Sequence, residues 1–397
     1  MSDTVQPVAA LAAGDIEVTA ATLDALISHK HMVETGNAAA VRRVEKLGPL
    51  GVYRRAAPVA LDLSEVPEAR QAAVAAAYAR LEQPFTFVRC LMLKDAMIVG
   101  QGSVVARDRS LVRDSAAEPL ARGLAPAGFA QGDGRSGSAA LRLLPARTRK
   151  VAMTSLLLQR PWWRDYRHWL LDSAATLALA TRLTLPQPWQ IVIGRPDSEA
   201  MRAVVQDTCA RLAPGVPVVE HPDGEIWQCN DLLWVTPPHG AGPYHHPEGL
   251  GNLRALLLRE HVAGPRPGRR LFITQGPHPV RRLDNEAELA ALAAARGFEV
   301  ADISALDLMA QARLFHGAAF VAGAAGPGLA NLLFCPSGTD CLVLSPADWT
   351  DPGLWDVASQ SGVGYRELAG RLTTARRAPG HNDFVIDPQK FVALLPD

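Results

Sequence analysis

A glycine-rich stretch lies toward the C-terminus, from Phe320 to Asn331, and reads FVAGAAGPGLAN. The pattern predicts a strand, a tight turn around Gly326 and Gly328, and a helix. Backbone N–H groups at such a turn can approach an anion closely, and a helix start favours negative charge. The turn therefore suits a pyrophosphate, with Gly326, Gly328 and Asn331 as candidate ligands, although small residues would also allow close strand–helix packing. Its spacing is neither that of a P-loop nor G-x-G-x-x-G.

A second candidate segment, Thr274–Glu286, follows a predicted strand end, where ligands of α/β proteins bind. Its adjacent residues Arg281 and Arg282 could together neutralise a diphosphate, and a carboxylate could accept hydrogen bonds from ribose hydroxyls. The candidate nucleotide ligands are Thr274, Arg281, Arg282, Asn285 and Glu286. Asn285 and Glu286 could equally serve only as a helix cap and as a partner of the helix dipole.

A third candidate is His168, which lies four residues before Asp172 in a predicted helix over Tyr166–Leu183. Residues at this spacing are neighbours on one face of an α-helix. An imidazole oriented by a carboxylate can act as a general base near neutral pH. The alternative is a surface pair that contributes little to stability. We take His168 as the candidate catalytic base and Asp172 as the residue that orients it.

The loop between Pro237 and Pro247 contains three histidines, His239, His245 and His246. Three imidazoles so close together could bind a metal. No carboxylate or cysteine lies among them, so solvated or packed side chains fit the pattern better. We therefore expect no metal site and no cofactor.

The composition excludes several classes of protein. In 397 residues, Lys and Arg number 40 and Asp and Glu number 40, so nucleic-acid binding through bulk positive charge is not expected. The apolar fraction of 48% excludes disorder of the whole chain. The five cysteines form no C-x-x-C pair and predict reduced, buried thiols of a cytoplasmic protein.

Membrane insertion is not expected either. The first residues lack the basic and apolar regions of a secretory signal. The apolar run Gly317–Pro336 is barely long enough to span a bilayer and is interrupted by glycines and Pro327, so a buried strand, turn and helix explain it better. Any contact with a membrane would be peripheral.

Three kinds of pattern follow one another along the chain. Residues 1–80 are alanine-rich and predict helix, clearest at Pro67–Leu81, and residues 84–115 predict an antiparallel β-meander. Residues 116–150 predict a long loop centred on Gly132–Ser138. From residue 151 strands and helices alternate. The predicted strands are 151–158, 190–194, 216–220, 232–235, 270–274, 298–300, 319–323 and 341–344; the predicted helices are 166–183, 197–212, 247–262, 285–296, 304–315 and a short one after Gly326.

This alternation predicts βαβ units and parallel sheets. The two runs lie on either side of the loop at 236–247, which favours two Rossmann-like lobes facing a cleft. We therefore expect an α/β protein with an N-terminal helical and β-meander extension over 1–150, one lobe over 151–236 and a second over 237–397.

The combination of motifs resembles glycosyltransferase family 61, some of whose bacterial members are labelled capsular-polysaccharide biosynthesis proteins. The resemblance rests on RRLDNE at 281–286, Gln311 before Leu314-Phe315, the glycine-rich turn with Asn331, and the His168-Trp169-Leu170 segment. The stretch Glu225-Ile226-Trp227 followed by Tyr244-His245 is also similar to that family. The likeness extends over roughly 150–350.

The resemblance implies a GT-B-like fold and inverting transfer from a nucleotide sugar to a glycan acceptor without an essential metal. The chain contains no Asp-x-Asp pair, which metal-dependent nucleotide-sugar enzymes commonly use. The C-terminal lobe would bind the nucleotide through the ligands named above. The N-terminal half would bind the acceptor, with His245 and His246 as candidates on that side.

The sequence departs from the family pattern at several positions. Ala325 and Pro327 replace a histidine and an alanine of the glycine-rich turn. Gln275 replaces the arginine that usually ends the strand predicted at 270–274. A Pro-Arg pair of the family is Ala175-Thr176 here. Because one lost charge-stabilising donor can cost ~10²–10³ in rate, the alternative is a catalytically inactive scaffold or regulator of polysaccharide assembly.

Overall fold

The computed structural model describes residues 17–21, 41–131, 141–237, 244–259, 268–276, 280–374 and 378–396. The chain forms two compact units. The first comprises the described residues of 1–49, 87–164 and 172–238, and the second comprises those of 50–86, 165–171 and 239–397. The predicted loop at Gly132–Ser138 and the candidate metal ligand His239 lie outside the described residues. In the described ranges, every helix is too short or too polar to cross a bilayer.

The strands are β1 (Glu17–Ala21), β2 (Val41–Lys46), β3 (Gly51–Arg54), β4 (Ala60–Asp62), β5 (Glu82–Phe85), β6 (Arg89–Val99), β7 (Ser103–Val105), β8 (Ser110–Val112), β9 (Phe129–Gln131), β10 (Leu141–Leu143), β11 (Arg147–Val151), β12 (Thr154–Leu157), β13 (Trp189–Gly194), β14 (Val218–His221), β15 (Glu225–Val235), β16 (Arg269–Ile273), β17 (Glu299–Ala301), β18 (Ala318–Ala324), β19 (Asp340–Pro346), β20 (Gly364–Leu372) and β21 (Phe384–Val385).

The helices are α1 (Glu68–Ala79), α2 (Ala117–Ala121), α3 (Tyr166–His168), α4 (Ala175–Ala180), α5 (Glu199–Leu212), α6 (Pro247–Leu257), α7 (Glu286–Ala294), α8 (Leu308–His316), α9 (Pro352–Gln360) and α10 (Pro388–Leu394). A π-helical turn, Trp169–Ala174, joins α3 to α4. Short 3₁₀ helices occupy Arg113–Ala116 and Pro327–Phe334.

The first unit is built on one mixed sheet. Strands β14, β13, β12 and β15 lie side by side and run parallel. Beyond β15 the sheet continues through the antiparallel strands β6, β7 and β8. The β-meander predicted for 84–115 is therefore confirmed, and it extends the parallel sheet instead of forming a separate domain. Leu91, Ile98, Val192 and Trp227 share its buried core.

The second unit has a parallel sheet of a different order. Its strands lie in the sequence β17-β16-β18-β19-β20, and each neighbouring pair is parallel. Numbered by position along the chain, this order is 2-1-3-4-5, a doubly wound α/β arrangement. Phe272, Ala322 and Leu342 belong to the core of this sheet, and Phe391 of α10 packs with them. The α/β fold class expected from the sequence is confirmed in both units.

The segment 50–86 is an integral part of the second unit. Strand β4 pairs in parallel with β20, and Leu61 is the partner of Glu367. Tyr78 of α1 is buried, and its ring lies 5.3 Å from that of Trp355 between centroids. Residues far from β20 in the sequence therefore complete the edge of the C-terminal sheet.

In the N-terminal part the helix predicted most clearly, at Pro67–Leu81, is confirmed by α1, but two broader predictions are wrong. Helix was expected throughout 1–80, but among its described residues Val41–Lys46, Gly51–Arg54 and Ala60–Asp62 are strands, because β6, β5 and β20 provide pairing partners that local alanine content cannot reveal. A loop was expected over 116–150, yet Ala117–Ala121 is helical. Strands β9, β10 and β11 also lie in this region and join the first sheet.

Further along the chain the predicted strands and helices are largely confirmed, with shifts at their ends. The helix predicted over 304–315 begins at Leu308 instead, and the Asp307 side chain caps it by accepting a hydrogen bond from Ala310 N at 2.7 Å. Asn285, considered above as a helix cap, makes no cap hydrogen bond with its side chain. The five cysteines are buried and form no disulfide, as the sequence predicted.

A buried carboxyl group joins β20 to its surroundings. Glu367 is fully buried and accepts hydrogen bonds from the hydroxyl groups of Ser345, Tyr365 and Tyr78. Burial raises the pKa of this carboxyl above its usual value, although the three hydroxyl groups act in the opposite direction. The folded protein therefore favours the protonated form more than the unfolded chain does.

Glu367 should make the protein less stable as the pH rises. A carboxyl whose pKa is raised on folding contributes its full stabilisation below the unfolded pKa, about 4.3, and this contribution is lost as the pH rises through the folded pKa. Glu367→Gln resembles the protonated group and should reduce the loss of stability between pH 5 and pH 8. Urea unfolding of both proteins across this range measures the effect. Parallel curves for the two proteins would contradict it.

Candidate functional site

The candidate site lies at the carboxyl edge of the second unit's sheet. In a doubly wound sheet, ligands bind where the strand order reverses, outside the carboxyl ends of the strands. Here the reversal falls between β16 and β18, because β17 lies on one side of β16 and β18 lies on the other. The segment after Ile273 and the glycine-rich turn after Ala324 both leave the sheet at this point. The sequence predicted both segments as ligand-binding.

The glycines of the turn have different roles. A Cβ on Gly323 would lie 2.8 Å from the backbone oxygen of Ile273, so this glycine permits the close approach of β18 to β16. A Cβ on Gly328 would meet only the end of the Ile303 side chain, at 2.8 Å. Gly326 is half-buried and extended, and its nearest neighbour would be 3.7 Å away. Packing therefore requires Gly323 but does not require Gly326.

The segment after β16 is held in place by Gln275. Its side-chain oxygen accepts a hydrogen bond from Leu283 N, and its side-chain nitrogen donates one to Arg281 O, both at 2.8 Å. The Gln275 N–H donates to a carboxylate oxygen of Glu286 at 2.8 Å. Burial raises the pKa of Glu286, and the charge of Asp302 adds to the increase. Gln275, noted above as a departure from the family pattern, is thus a structural residue of this loop.

The structure places the two neighbouring arginines in different surroundings. Arg282 is exposed, and its guanidinium pairs with Asp284, with 2.6 Å between Nε and Oδ1. Its backbone N–H and carbonyl bond to Asp383 and Phe384. Arg281 instead turns inward, and its guanidinium carbon lies 4.2 Å from the centroid of the Trp349 ring. The expected convergence of both guanidinium groups on one ligand is therefore not seen.

Arg281 carries buried donors that no described residue satisfies. Its Nε and Nη1 are shielded from solvent and have no hydrogen-bond partner. Burial lowers the pKa of the guanidinium; Asp351 opposes this effect, Arg167 reinforces it, and Asp348 opposes it. A buried donor of a charged group without a partner costs at least ~1–3 kcal/mol. An anion or another acceptor bound here would remove that cost.

Asp351 anchors this side of the site. Its carboxylate pairs with both terminal nitrogens of Arg167, and the Nη2–Oδ1 distance is 2.9 Å. The same carboxylate caps α9 by accepting hydrogen bonds from Gly353 N and Leu354 N. Burial alone would raise the pKa of Asp351, but Arg167, the cap N–H groups and Arg281 hold it below its usual value. Asp351 is therefore an ionised group at the start of α9.

Asn331 is held by internal hydrogen bonds. Its side-chain oxygen accepts from the Tyr166 hydroxyl at 2.7 Å, and its nitrogen donates to Gln311 at 2.7 Å and to Gly328 O at 3.0 Å. Burial raises the pKa of the Tyr166 hydroxyl, although the bond to Asn331 lowers it. Asn331, a candidate ligand from the sequence, thus connects the start of α3 to the glycine-rich turn.

Two more candidate ligands have structural partners. Thr274 bonds to Ala301 O through both its backbone N–H and its hydroxyl group. The Asn285 side chain donates to Ile386 O at 2.8 Å and accepts from Ile386 N at 3.1 Å. Both residues therefore fasten the site's segments to neighbouring strands, and their role as nucleotide ligands stays a prediction.

His168 and Asp172 lie on one continuous helical run, but not on a regular α-helix. His168 is half-buried at the end of α3, whereas Asp172 is buried in the π-helical turn. Asp172 belongs to the first unit, where its charge faces Arg160. Burial lowers the pKa of Arg160 to about 10, and Asp172 opposes that shift. Arg160 donates to Val235 O at 2.7 Å, so Asp172 lies near the end of β15.

The two predicted acceptor-side histidines are buried in the second unit. The His245 N–H donates to the carboxylate of Asp356 at 3.0 Å, and its ring nitrogen Nδ1 lies 3.4 Å from the same oxygen. The His246 ring packs edge-on against Phe85, with 4.8 Å between centroids. Both side chains therefore contribute to packing around Asp356 and β5.

Residues 166–342 match the family Glycosyltransferase 61. The matched segment contains α3, the loop with Arg281 and the glycine-rich turn, and it supports a relationship with glycosyltransferases. A search of curated proteins finds no match.

Several residues around Arg281 were missed by the sequence analysis. They are Arg167, Asp348, Trp349, Asp351 and Asn382. The sequence offered a signal for one of them. Asp351 directly precedes Pro352, and an aspartate before a proline is common at the start of a helix. The other residues come from loops whose partners are distant in the chain, and no local pattern distinguishes them.

The two kinds of glycine should respond differently to alanine. Gly323→Ala should destabilise the protein by about 1–3 kcal/mol, because its new Cβ would meet a backbone oxygen. Gly326→Ala should change stability by less than about 0.5 kcal/mol, because space is available and its backbone is extended. Denaturant unfolding of both variants tests the difference, and equal losses of stability would contradict it.

Proposed function

We propose that the protein transfers a sugar from a nucleotide sugar to a hydroxyl group of a glycan. The observation that carries this proposal is Arg281, whose buried Nε and Nη1 lack hydrogen-bond partners among the described residues and whose guanidinium lies against Trp349, in the loop after β19. The match of residues 166–342 to Glycosyltransferase 61 supports this class of reaction. A buried guanidinium with unsatisfied donors suits the diphosphate of such a donor.

The proposed reaction inverts the configuration at the anomeric carbon. The acceptor oxygen forms a bond to that carbon from the face opposite the diphosphate, while the bond from carbon to the phosphate oxygen breaks. The electron pair of that bond leaves with the diphosphate. Arg281 and the N–H groups of Gly326 and Gly328 stabilise the charge that develops there. Pro327, which lies between the two glycines, has no N–H to contribute.

The base that takes the acceptor proton is His168 in this proposal. A half-buried imidazole at the end of α3 can accept a proton from a substrate hydroxyl group as a general base. Its helix is fixed to the glycine-rich turn through the bond from Tyr166 to Asn331. We retain Asp172 as the group that orients the base, as the sequence suggested.

Other parts of the proposal come from the family resemblance. They are the GT-B-like arrangement of two lobes, a mechanism without an essential metal, and a bacterial surface or secreted glycan as acceptor. The cytoplasmic location and the at most peripheral membrane contact come from the cysteine pattern and the apolar run of the sequence. The ring of Trp349 beneath Arg281 gives the donor site a planar apolar wall.

Thermal unfolding with a set of donors tests the proposed function. UDP-, GDP- and CMP-sugars should include at least one that raises the unfolding temperature, since a ligand at 100 times its Kd adds about 2.7 kcal/mol of stability. Arg281→Ala should weaken that binding about 10- to 100-fold, the expected loss for a charged hydrogen-bond donor. Arg282→Ala, measured in parallel, shows whether the second arginine also contacts the donor.

Arg269→Ala is the matched control, because Arg269 is exposed at the opposite end of β16 and pairs with Glu299. It should leave donor binding unchanged. If no donor stabilises the wild-type protein, the alternative of a scaffold or regulator of polysaccharide assembly is favoured. NAD(H) in the same screen tests for a dinucleotide enzyme.

Replacing His168 should affect the chemical step more than donor binding. We expect His168→Ala to lower kcat by about 10²–10⁴, the usual contribution of a general base, while donor affinity stays near the wild-type value. Initial rates with the donor identified by the screen measure the first quantity, and calorimetric titration measures the second. An unchanged kcat would assign the base to another residue.

A further inference from the structure

The loop after β19 carries Asp348, whose carboxylate has a buried oxygen without a hydrogen-bond donor in the described part of the chain, just as Arg281 has buried donors without an acceptor there. One carboxylate oxygen of Asp348, Oδ2, accepts a hydrogen bond from Asn382 at 2.6 Å. The other, Oδ1, is buried and has no hydrogen-bond partner among the described residues. The charge of Asp348 acts on Arg281, and Trp349, the next residue, lies against the Arg281 guanidinium. Unsatisfied hydrogen-bond donors of Arg281 and an unsatisfied acceptor of Asp348 therefore occur in the same group of side chains.

These atoms limit what could bind beside them. A phosphate can accept a hydrogen bond from Arg281, but an ionised phosphate has no proton to donate to Asp348, so a phosphate alone leaves the carboxylate oxygen without a partner. An ammonium group would satisfy Asp348 and be repelled by Arg281. A hydroxyl group satisfies both, because its oxygen accepts from the guanidinium while its O–H donates to the carboxylate.

The surrounding loops keep the two side chains in place. The Asp348 carboxylate is fixed by Asn382, and Gly380 lies so close to the Trp349 ring that a Cβ there would be 2.9 Å away. The backbone of Arg281 is bound by the side chain of Gln275. The pair is thus ordered before any ligand binds, which lowers the entropic cost of recognition.

We propose that Arg281 and Asp348 together bind a hydroxyl group of the nucleotide-sugar donor. This inference rests on the proposed function and adds a specificity-determining residue to it. Arg281 uses its remaining donors for the diphosphate, and Asp348 accepts the hydroxyl proton. A site that pairs with a hydroxyl group discriminates strongly against analogues that lack it, since its buried polar atoms are then left without partners.

The variant Asp348→Asn distinguishes hydrogen bonding to a substrate hydroxyl group from a general effect of the Asp348 charge on ligand binding. The asparagine keeps the shape of the side chain and an oxygen that can accept from Asn382, but it removes the negative charge. Titration calorimetry should compare the nucleotide sugar of largest thermal shift with inorganic pyrophosphate, which has no sugar hydroxyl. We expect about 10-fold or greater loss of affinity for the nucleotide sugar. Affinity for pyrophosphate should be unchanged or higher, because a repelling charge is removed.

Asp340→Asn serves as the control, because Asp340 is a half-exposed carboxylate at the opposite end of β19. It should change neither affinity. The nucleoside diphosphate without its sugar is the further probe: an equal loss with it assigns the hydroxyl to the ribose, and no loss with it assigns the hydroxyl to the transferred sugar.

The outcomes distinguish the two proposals. If the wild-type protein binds a nucleotide sugar but Asp348→Asn affects it and pyrophosphate alike, or affects neither, the hydroxyl-binding role is overturned and the donor site stands. If the wild-type protein binds no nucleotide sugar, both proposals are overturned. Thermal unfolding of each variant shows whether a loss of binding reflects a loss of folding.

Discussion

The ion pair between Arg167 and Asp351 is the interaction on which the rest of the candidate site depends. Asp351 is buried, so its charge is tolerable only because a guanidinium and two helix N–H groups surround it. The pair fixes the start of α3 to the start of α9. Asn331 is bonded to Tyr166 of α3, and Arg281 lies in the field of this pair. Asp351 also acts on Arg281, so a single carboxylate influences two arginines.

Around this pair the second unit satisfies most of its polar groups internally. Gln275, Asn285 and Asn331 all bind neighbouring backbone or side chains. The polar residues of the candidate site therefore have two different roles. Some hold the loops in place, and others have atoms available to contact a ligand. Arg281 and Asp348 belong to the second kind because their buried atoms have no partner in the described structure. A bound substrate that supplies the missing hydrogen bonds would remove the free-energy cost of these unpaired buried atoms.

The sequence predicted the central strands and the edge where the site lies. Runs such as Ile191-Val192-Ile193 and Phe320-Val321-Ala322 are apolar because both faces of a parallel sheet are covered, and this signal is local. The inward orientation of Arg281 was not predictable, because the Trp349 ring against which its guanidinium lies comes from a loop distant in sequence. The contributions of Trp349 and Asn382 depend on packing between loops distant in sequence.

Pairing of β4 with β20 has a consequence for the way the protein is made. Tyr78 and Glu367, which share a hydrogen bond, are separated by 289 positions. During synthesis the segment 50–86 leaves the ribosome long before β20 has been made. Its apolar surface therefore stays uncovered until β20 is available. The first unit needs no residue beyond 238, whereas the second needs both early and late ones. Translation therefore imposes an order of maturation in which the second unit is completed last.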